Sequence, residues 1–377
     1  MELFAMALII GVIIIGQFIL YDKIGLKGVS YKLTVSTDEA FEGDEIEIIE
    51  EIENAKRLPL VWARSEISCS KWFSFKGKTA VNTDDEQRSL ISGIFVLKGY
   101  QKCRRVWKVR CEKRGLMTID NAVITSSDLF GMAKPAMVMK LDKSVRVLPV
   151  PCNMETGDFS GDMFIGNMQV RRFVLPDPFV ISGAREYTGR EPMNRIHWQQ
   201  TARSGRLMVY NNEFTTERRI MIILNMQRSM GAYLQPMTES TLECEIKAAA
   251  FALEACGQLN AECALAANSE DKLFVAPGEG YEHKIAVLRK LSSLVNICGE
   301  RLEDLLDRFD FTDYTDIMLI TVAVSETVGG KLAGLSARGK SCKILTTGIN
   351  EGFENVPPNC EVVNIPWFEY GQQAVVR

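Results

Sequence analysis

Gly334-Leu335-Ser336-Ala337-Arg338-Gly339-Lys340-Ser341 satisfies the spacing of a phosphate-binding loop, in which a lysine reaches a nucleotide's phosphates. That chemistry needs a strand leading in and a helix leading out, so that the helix's first amides cradle the anion. Here the apolar spacing predicts the reverse: a helix around 325–337, then the strand Cys342-Lys343-Ile344-Leu345-Thr346-Thr347. Gly339 therefore reads as a helix terminator. The two histidines, His197 and His283, and the ten cysteines show no zinc-ligand spacing, the closest cysteines being seven and eight positions apart. Several cysteines fall on apolar faces (Cys256 in a helix, Cys263 and Cys342 in strands), where a reduced thiol acts as a small hydrophobe. A cysteine–histidine pair needs no sequence proximity, so that arrangement stays open. No segment has the form of a nucleophile elbow. The reading is a chain that is not an enzyme, with no catalytic residue, no metal and no cofactor.

The densest functional chemistry lies between Gly183 and Phe214, where Arg185, Arg190, Arg195 and Arg203 alternate with Glu186, Glu191, Tyr187 and Trp198. Guanidinium forks pair with carboxylates bidentately and stack on aromatic rings. Such a set can be a buried clasp between domains, the role expected here of Trp198 and Arg203. It can also dock a partner, since interface hot spots favour Arg, Tyr and Trp. Arg190 and Glu191 are the expected docking residues.

The elements that must carry this segment differ on its two sides. Before it come short alternating stretches, YKLTVS at 31–36, EIEIIEEI at 45–52 and RRVWKVRC at 104–111, broken by Gly43-Asp44, Lys98-Gly99 and Arg114-Gly115. In the third stretch Trp107, Val109 and Cys111 share one face, while Arg104, Lys108 and Arg110 point outward as a solvated row. Many short strands without helices indicate a β-sandwich over 23–150. A linking segment spans 151–215. From 216 to 377 the pattern is α/β and Rossmann-like. IMIIL at 220–224 suits a strand buried on both faces. Ser240-Thr241-Leu242-Glu243 offers a capping box before an apolar helix. ECALAAN and KLFVA read as a hairpin, and a helix from about His283 to Ile297 turns Ile285, Leu288, Leu291 and Val295 inward. DIMLITV, SCKILTT and CEVVNI complete a mostly parallel sheet.

This order of elements resembles the von Willebrand factor A fold. In that family a metal-ion-dependent adhesion site uses Asp-x-Ser-x-Ser after the first strand and an Asp after a later one. The matching run here is Asn225-Met226-Gln227-Arg228-Ser229, with Val322 at the later position. The carboxylates that would neutralise Mg²⁺ are missing, so metal binding is not expected.

The run Arg185-Glu186-Tyr187, Arg195-Ile196-His197-Trp198 and Thr201-Ala202-Arg203 resembles the signature of the bacterial family called domain of unknown function 58. Arg114-Gly115 and Ser127-Asp128-Leu129-Phe130-Gly131 match further stretches of that family, with Leu129 in place of proline and Arg190-Glu191 where the family has Gly-Asp. The resemblance covers nearly the whole chain. It implies an N-terminal membrane helix, a β-rich domain, the signature and a von Willebrand A-like end. It also implies work beside MoxR-type AAA+ ATPases and other membrane proteins, with no established reaction.

The first residues fit that picture. Leu3 to Leu20 is apolar except Gln17, and eighteen residues rise about 27 Å as a helix, near the hydrocarbon thickness. Lys23 and Lys27 follow it, so the expectation is a single-pass anchor over 1–22 in the cell membrane, with the bulk of the chain cytoplasmic. Hydrophobic residues make up 46% and charged residues 24%, and the net charge of −4 suggests no nucleic-acid partner. The sequence thus predicts a membrane-anchored adaptor for a MoxR-type AAA+ ATPase. The alternatives are a metal-dependent ligand-binding domain using Asn225 and Ser229 and, more distantly, a nucleotide hydrolase using Lys340.

Overall fold

Alternation of period two dominates the first part of the chain, and in the computed structural model it becomes two sheets. The structure describes residues 2–76, 81–85, 88–128, 131–152, 181–189, 193, 196–212, 218–231, 235–347 and 351–365. The chain divides into two units, Met1–Val150 with Leu288–Leu294, and Pro151–Val287 with Val295–Arg377.

In the first unit a helix, α1 (Glu2–Ile24), precedes ten strands. They are β1 (Val29–Val35), β2 (Glu39–Phe41), β3 (Glu45–Asn54), β4 (Leu60–Ser70), β5 (Phe73–Phe75), β6 (Val81–Asp85), β7 (Arg88–Leu97), β8 (Gln101–Cys111), β9 (Gly115–Ser127) and β10 (Ala136–Leu148). Two sheets result, in the orders β1-β3-β8-β5 and β2-β10-β9-β4-β7-β6. Their inward residues share one core, with Leu33, Ile46, Ile48, Val109 and Cys111 from one sheet against Ile67, Ile91, Ile119 and Val145 from the other. The outward basic row is answered across the ladder: Glu45 faces Arg110, Glu47 faces Lys108, Glu51 faces Arg104 and Glu53 faces Lys102. Opposite charges at facing positions stabilise a sheet modestly and neutralise the stripe.

Burial alternates unbroken along β3, but the residue types depart from it once. Ile49 points outward opposite Val106, and Glu50 points inward and is fully buried. Its carboxylate accepts from the Tyr31 hydroxyl at 3.0 Å and from the Trp107 indole N–H at 3.1 Å, which supplies the bonds that burial would otherwise deny it. Arg114, also buried, donates to the carbonyls of Leu291, Ser292 and Leu294.

The expectation of a membrane-spanning segment is corrected. No helix among the described residues is long and apolar enough to cross a membrane. The last turn of α1 is fastened to protein: Tyr21 is buried and donates to the Pro59 carbonyl at 3.3 Å.

The second unit begins, among described residues, with β11 (Ile181–Glu186), α2 (Trp198–Ser204) and β12 (Met208–Asn212). It continues through β13 (Arg219–Leu224), α3 (Glu239–Gln258), β14 (Glu262–Ala267), β15 (Phe274–Gly278) and α4 (Gly280–Ser292). The last elements are α5 (Leu302–Arg308), β16 (Asp316–Ile320), α6 (Glu326–Ala337), β17 (Ser341–Thr346) and β18 (Glu361–Asn364). The sheet order is β15-β14-β13-β16-β17-β18, parallel except where β15 returns beside β14. One face packs Met221, Ile223, Leu319 and Ile344 against Leu305, Leu306, Leu332 and Leu335.

Two helix ends differ from expectation. Thr238, not Ser240, caps α3, its hydroxyl accepting from the Thr241 N–H at 3.3 Å. α4 ends at Ser292, leaving Val295 64% exposed rather than inward. Ser292 and Ser293 there turn their hydroxyls back onto the carbonyls of Arg289 and Lys290, which terminates the helix.

Candidate functional site

Two places in the second unit could do chemistry, and their polar groups are used in opposite ways. The first is the C-terminal edge of β13 and β16, where sheet order changes direction and α/β folds commonly bind ligands. Asn225 is buried there. Its Oδ1 accepts from the Gln227 N–H at 3.1 Å and from Asn268 Nδ2 at 2.8 Å, while its Nδ2 donates to Thr321 Oγ1 at 2.8 Å. Thr321 passes its proton to the Ala323 carbonyl at 2.7 Å. Asn268 Oδ1 takes the Met226 N–H at 2.6 Å, and Gln227 Oε1 takes the Leu302 N–H at 2.6 Å.

Every polar atom named in that network is spent on a neighbour. The remaining cavity, lined by Asn225, Gln227, Ser229, Glu303 and Ser325 among others, measures about 10 Å³, room for one water at most. Its carboxylate, Glu303, accepts the Ser325 hydroxyl at 2.5 Å. Neutral amides and one engaged carboxylate do not fit Mg²⁺, which takes octahedral oxygens with charge to balance it. Among the described residues no group of three or more His, Cys, Asp or Glu side chains is placed to hold a metal.

Lys340 belongs to the same account. It is buried, its ammonium donating at 2.6 Å to both the Thr312 and Tyr314 carbonyls. α6 leads in, Gly339 adopts φ 77° beyond its end, and β17 leads out. No helix N-terminus faces this lysine from its own loop, so the phosphate-loop geometry is missing. His283 meets Cys263 through the backbone carbonyl. His283 Nε2 lies 2.8 Å from the Cys263 backbone carbonyl, beside a cavity of about 470 Å³, and the Cys263 thiol bonds to Cys256.

The second place is the arginine–aromatic segment. β11 pairs antiparallel with β12, and α2 lies between them in sequence. His197 opens α2, its Nδ1 accepting the Gln200 N–H at 3.3 Å, and its ring lies 4.4 Å from that of Tyr210. Thr201 Oγ1 accepts the Met208 N–H at 2.9 Å, and Gly205 closes the helix at φ 68°. Ile196 is buried and bridges to Val209. Four short ties therefore hold a seven-residue helix that buries none of its own residues.

Trp198 is 64% exposed and Arg203 is exposed among the described residues. Ile196 and Val209, bridged to each other, are buried, whereas α2 buries none of its own residues. Glu186 is exposed and bonded to Arg206 at 2.7 Å, and Tyr187 is half-buried with its N–H on the Leu207 carbonyl at 2.9 Å. Arg185 has its backbone in β11; its side chain, and Arg190, Glu191 and Arg195, lie outside the described residues. The residue-type reading missed Met193, 71% exposed, and Leu207, 45% exposed. Their only signal was apolar character inside a charged segment.

A hairpin carrying an exposed, tied-down helix, next in sequence to an α/β sheet, is the class of protein this arrangement defines. Residues 183–307 match the family model described as "Protein of unknown function DUF58", which supports the DUF58 family for this chain. No curated protein matches. Among solved structures, the chain is similar to the CARDB domain of a Pyrococcus furiosus protein at 8% identity and TM-score 0.21, over 32% of this chain and 91% of that one. A non-cellulosomal cohesin from Archaeoglobus fulgidus gives 16% identity and TM-score 0.22, over 32% and 91%. Likeness at this level carries no argument about function.

Proposed function

We propose that this chain is a non-catalytic interaction protein that docks a partner through the outward face of α2, and that the partner is a MoxR-type AAA+ ATPase. The observation that carries the reading is Trp198, 64% exposed on a helix clamped by Thr201, His197 and Ile196. An indole left in water forgoes about 2 kcal/mol of burial, which a partner surface can recover. A rigid mount lowers the ordering cost of that recovery. Arg203, exposed on the same helix, adds a planar donor suited to a carboxylate on the partner.

The metal-dependent alternative meets a poor donor set at Asn225, and the hydrolase alternative meets a lysine already engaged with two carbonyls. The test is a binding titration of the purified full chain against the MoxR-type ATPase of its own host, with ATP and Mg²⁺ present. Wild type is expected to bind, and Trp198→Ala and Arg203→Glu to weaken binding about tenfold or more while melting normally. Equal binding by all three would remove α2 from the account. No binding by wild type would remove this partner.

A further inference from the structure

Seven of the chain's buried cysteines belong to the second unit, and four of them form two contacting pairs, Cys256 with Cys263 and Cys342 with Cys360. Their surroundings differ. Cys263 sits in β14, inside the sheet, and Cys256 lies under it from α3; they are 3% and 0% exposed. Cys342 is in β17, and Cys360 directly precedes β18, the last strand of the sheet. The parallel register pairs Lys343 with Glu361, so one step earlier Cys342 and Cys360 stand opposite each other. Both thiols belong to the same apolar cluster as Ile317 and Ile344. Adjacent strands lie about 4.8 Å apart, inside the Cα range a disulfide spans.

We propose that Cys342 and Cys360 are a thiol modification site, closing to an intrachain disulfide when a hydroperoxide removes two electrons. Cys360 is the attacking group. The Cys342 S–H donates to its sulfur and holds the Cys360 thiol below the usual range, while the same bond, burial and Asp316 push Cys342 up. Access comes from position: among the described residues β18 has four residues and a single neighbour, and short edge strands open locally far below the global unfolding energy. The Cys360 thiolate attacks one peroxide oxygen, the O–O bond breaks, and the departing hydroxide takes up the thiol's proton as water. Cys342 sulfur then attacks the Cys360 sulfenic sulfur, the S–O bond breaks, and a second water leaves with the Cys342 proton. Two thiols are oxidised and hydrogen peroxide is reduced to two waters.

The experiment treats the folded full chain with hydrogen peroxide at a dose that oxidises the exposed Met132 and Met193, then blocks remaining thiols after unfolding and maps peptides by mass. The expected result is a Cys342–Cys360 cross-link, a Tm raised reversibly by a few degrees, and Cys256 and Cys263 recovered as thiols. In Cys342→Ser, Cys360 is expected to be trapped by a sulfenic-acid nucleophile such as dimedone. Cys342 and Cys360 recovered as thiols at that dose would overturn the site. So would a cross-link that forms only in the unfolded chain, or between Cys256 and Cys263 instead.

Discussion

The strand edge at Asn225 and the hairpin at Trp198 are both polar, yet one is closed and the other open. At the edge, Asn225, Gln227, Asn268 and Thr321 satisfy one another, and the cavity left is about 10 Å³. At the hairpin, the ties run beneath α2, and its indole and guanidinium are left facing solvent. The difference teaches where to look for function in an α/β domain. A side-chain amide both donates and accepts, which allows a site built from amides to bond with itself. A binding surface must keep groups that the fold has not used.

The largest effect should come from reopening the closed edge. Asn225→Asp removes the donor to Thr321 Oγ1, whose own proton is committed to the Ala323 carbonyl, and buries a charge without a cation. A loss of about 3 kcal/mol in urea unfolding is expected, growing as pH rises because burial holds the new carboxyl protonated. A stable variant whose Tm climbs with Mg²⁺ would break the comparison. Lys340→Ala should come next, at about 2 kcal/mol, since the carbonyls of Thr312 and Tyr314, the latter buried, lose their common donor.

Glu245 gives a smaller effect with a definite sign. It is fully buried in α3 with neither carboxylate oxygen bonded among the described residues, and burial raises its carboxyl well above the ordinary value of 4.5. The folded state keeps a proton that the unfolded state releases, so wild-type stability falls as pH climbs past 4.5 toward the raised value. Glu245→Gln should flatten that slope and be the more stable protein at pH 7, as thermal melts across pH would show. The smallest stability effect belongs to the open region: Trp198→Ala should change unfolding by less than about 0.5 kcal/mol, because little is lost from an exposed site. A large loss there would mean that the indole packs in solution.

Local elements were legible where one physical signal dominated. The apolar run at 220–224 lies within β13, and the reversed order around Gly339 and Lys340 is found as α6 then β17. Signals that depend on partners were not legible. Period two puts Glu50 on the inward face with Ile46, Ile48 and Ile52, but nothing in EIEIIEEI shows how a carboxylate is satisfied there, because the bonds from Tyr31 and Trp107 come from other strands. The end of α4 was missed because Val295 and Ile297 continue the apolar spacing that serine back-bonding interrupts. The arginine–aromatic segment was found by residue type. Which of its members face water could not be read, since Trp198 is as good a core residue as a surface anchor. The apolar N-terminal run likewise suggested a membrane span that the described helix does not supply.

The central claim is that the open hairpin, not the strand edge, carries the interaction. Its most direct test measures the affinity of the MoxR-type ATPase for three full-length proteins side by side: wild type, Trp198→Ala, and Ser229→Ala as a strand-edge control. The account predicts binding weakened about tenfold or more by Trp198→Ala and unchanged by Ser229→Ala. Binding that is unchanged by Trp198→Ala but lost in Ser229→Ala would contradict it.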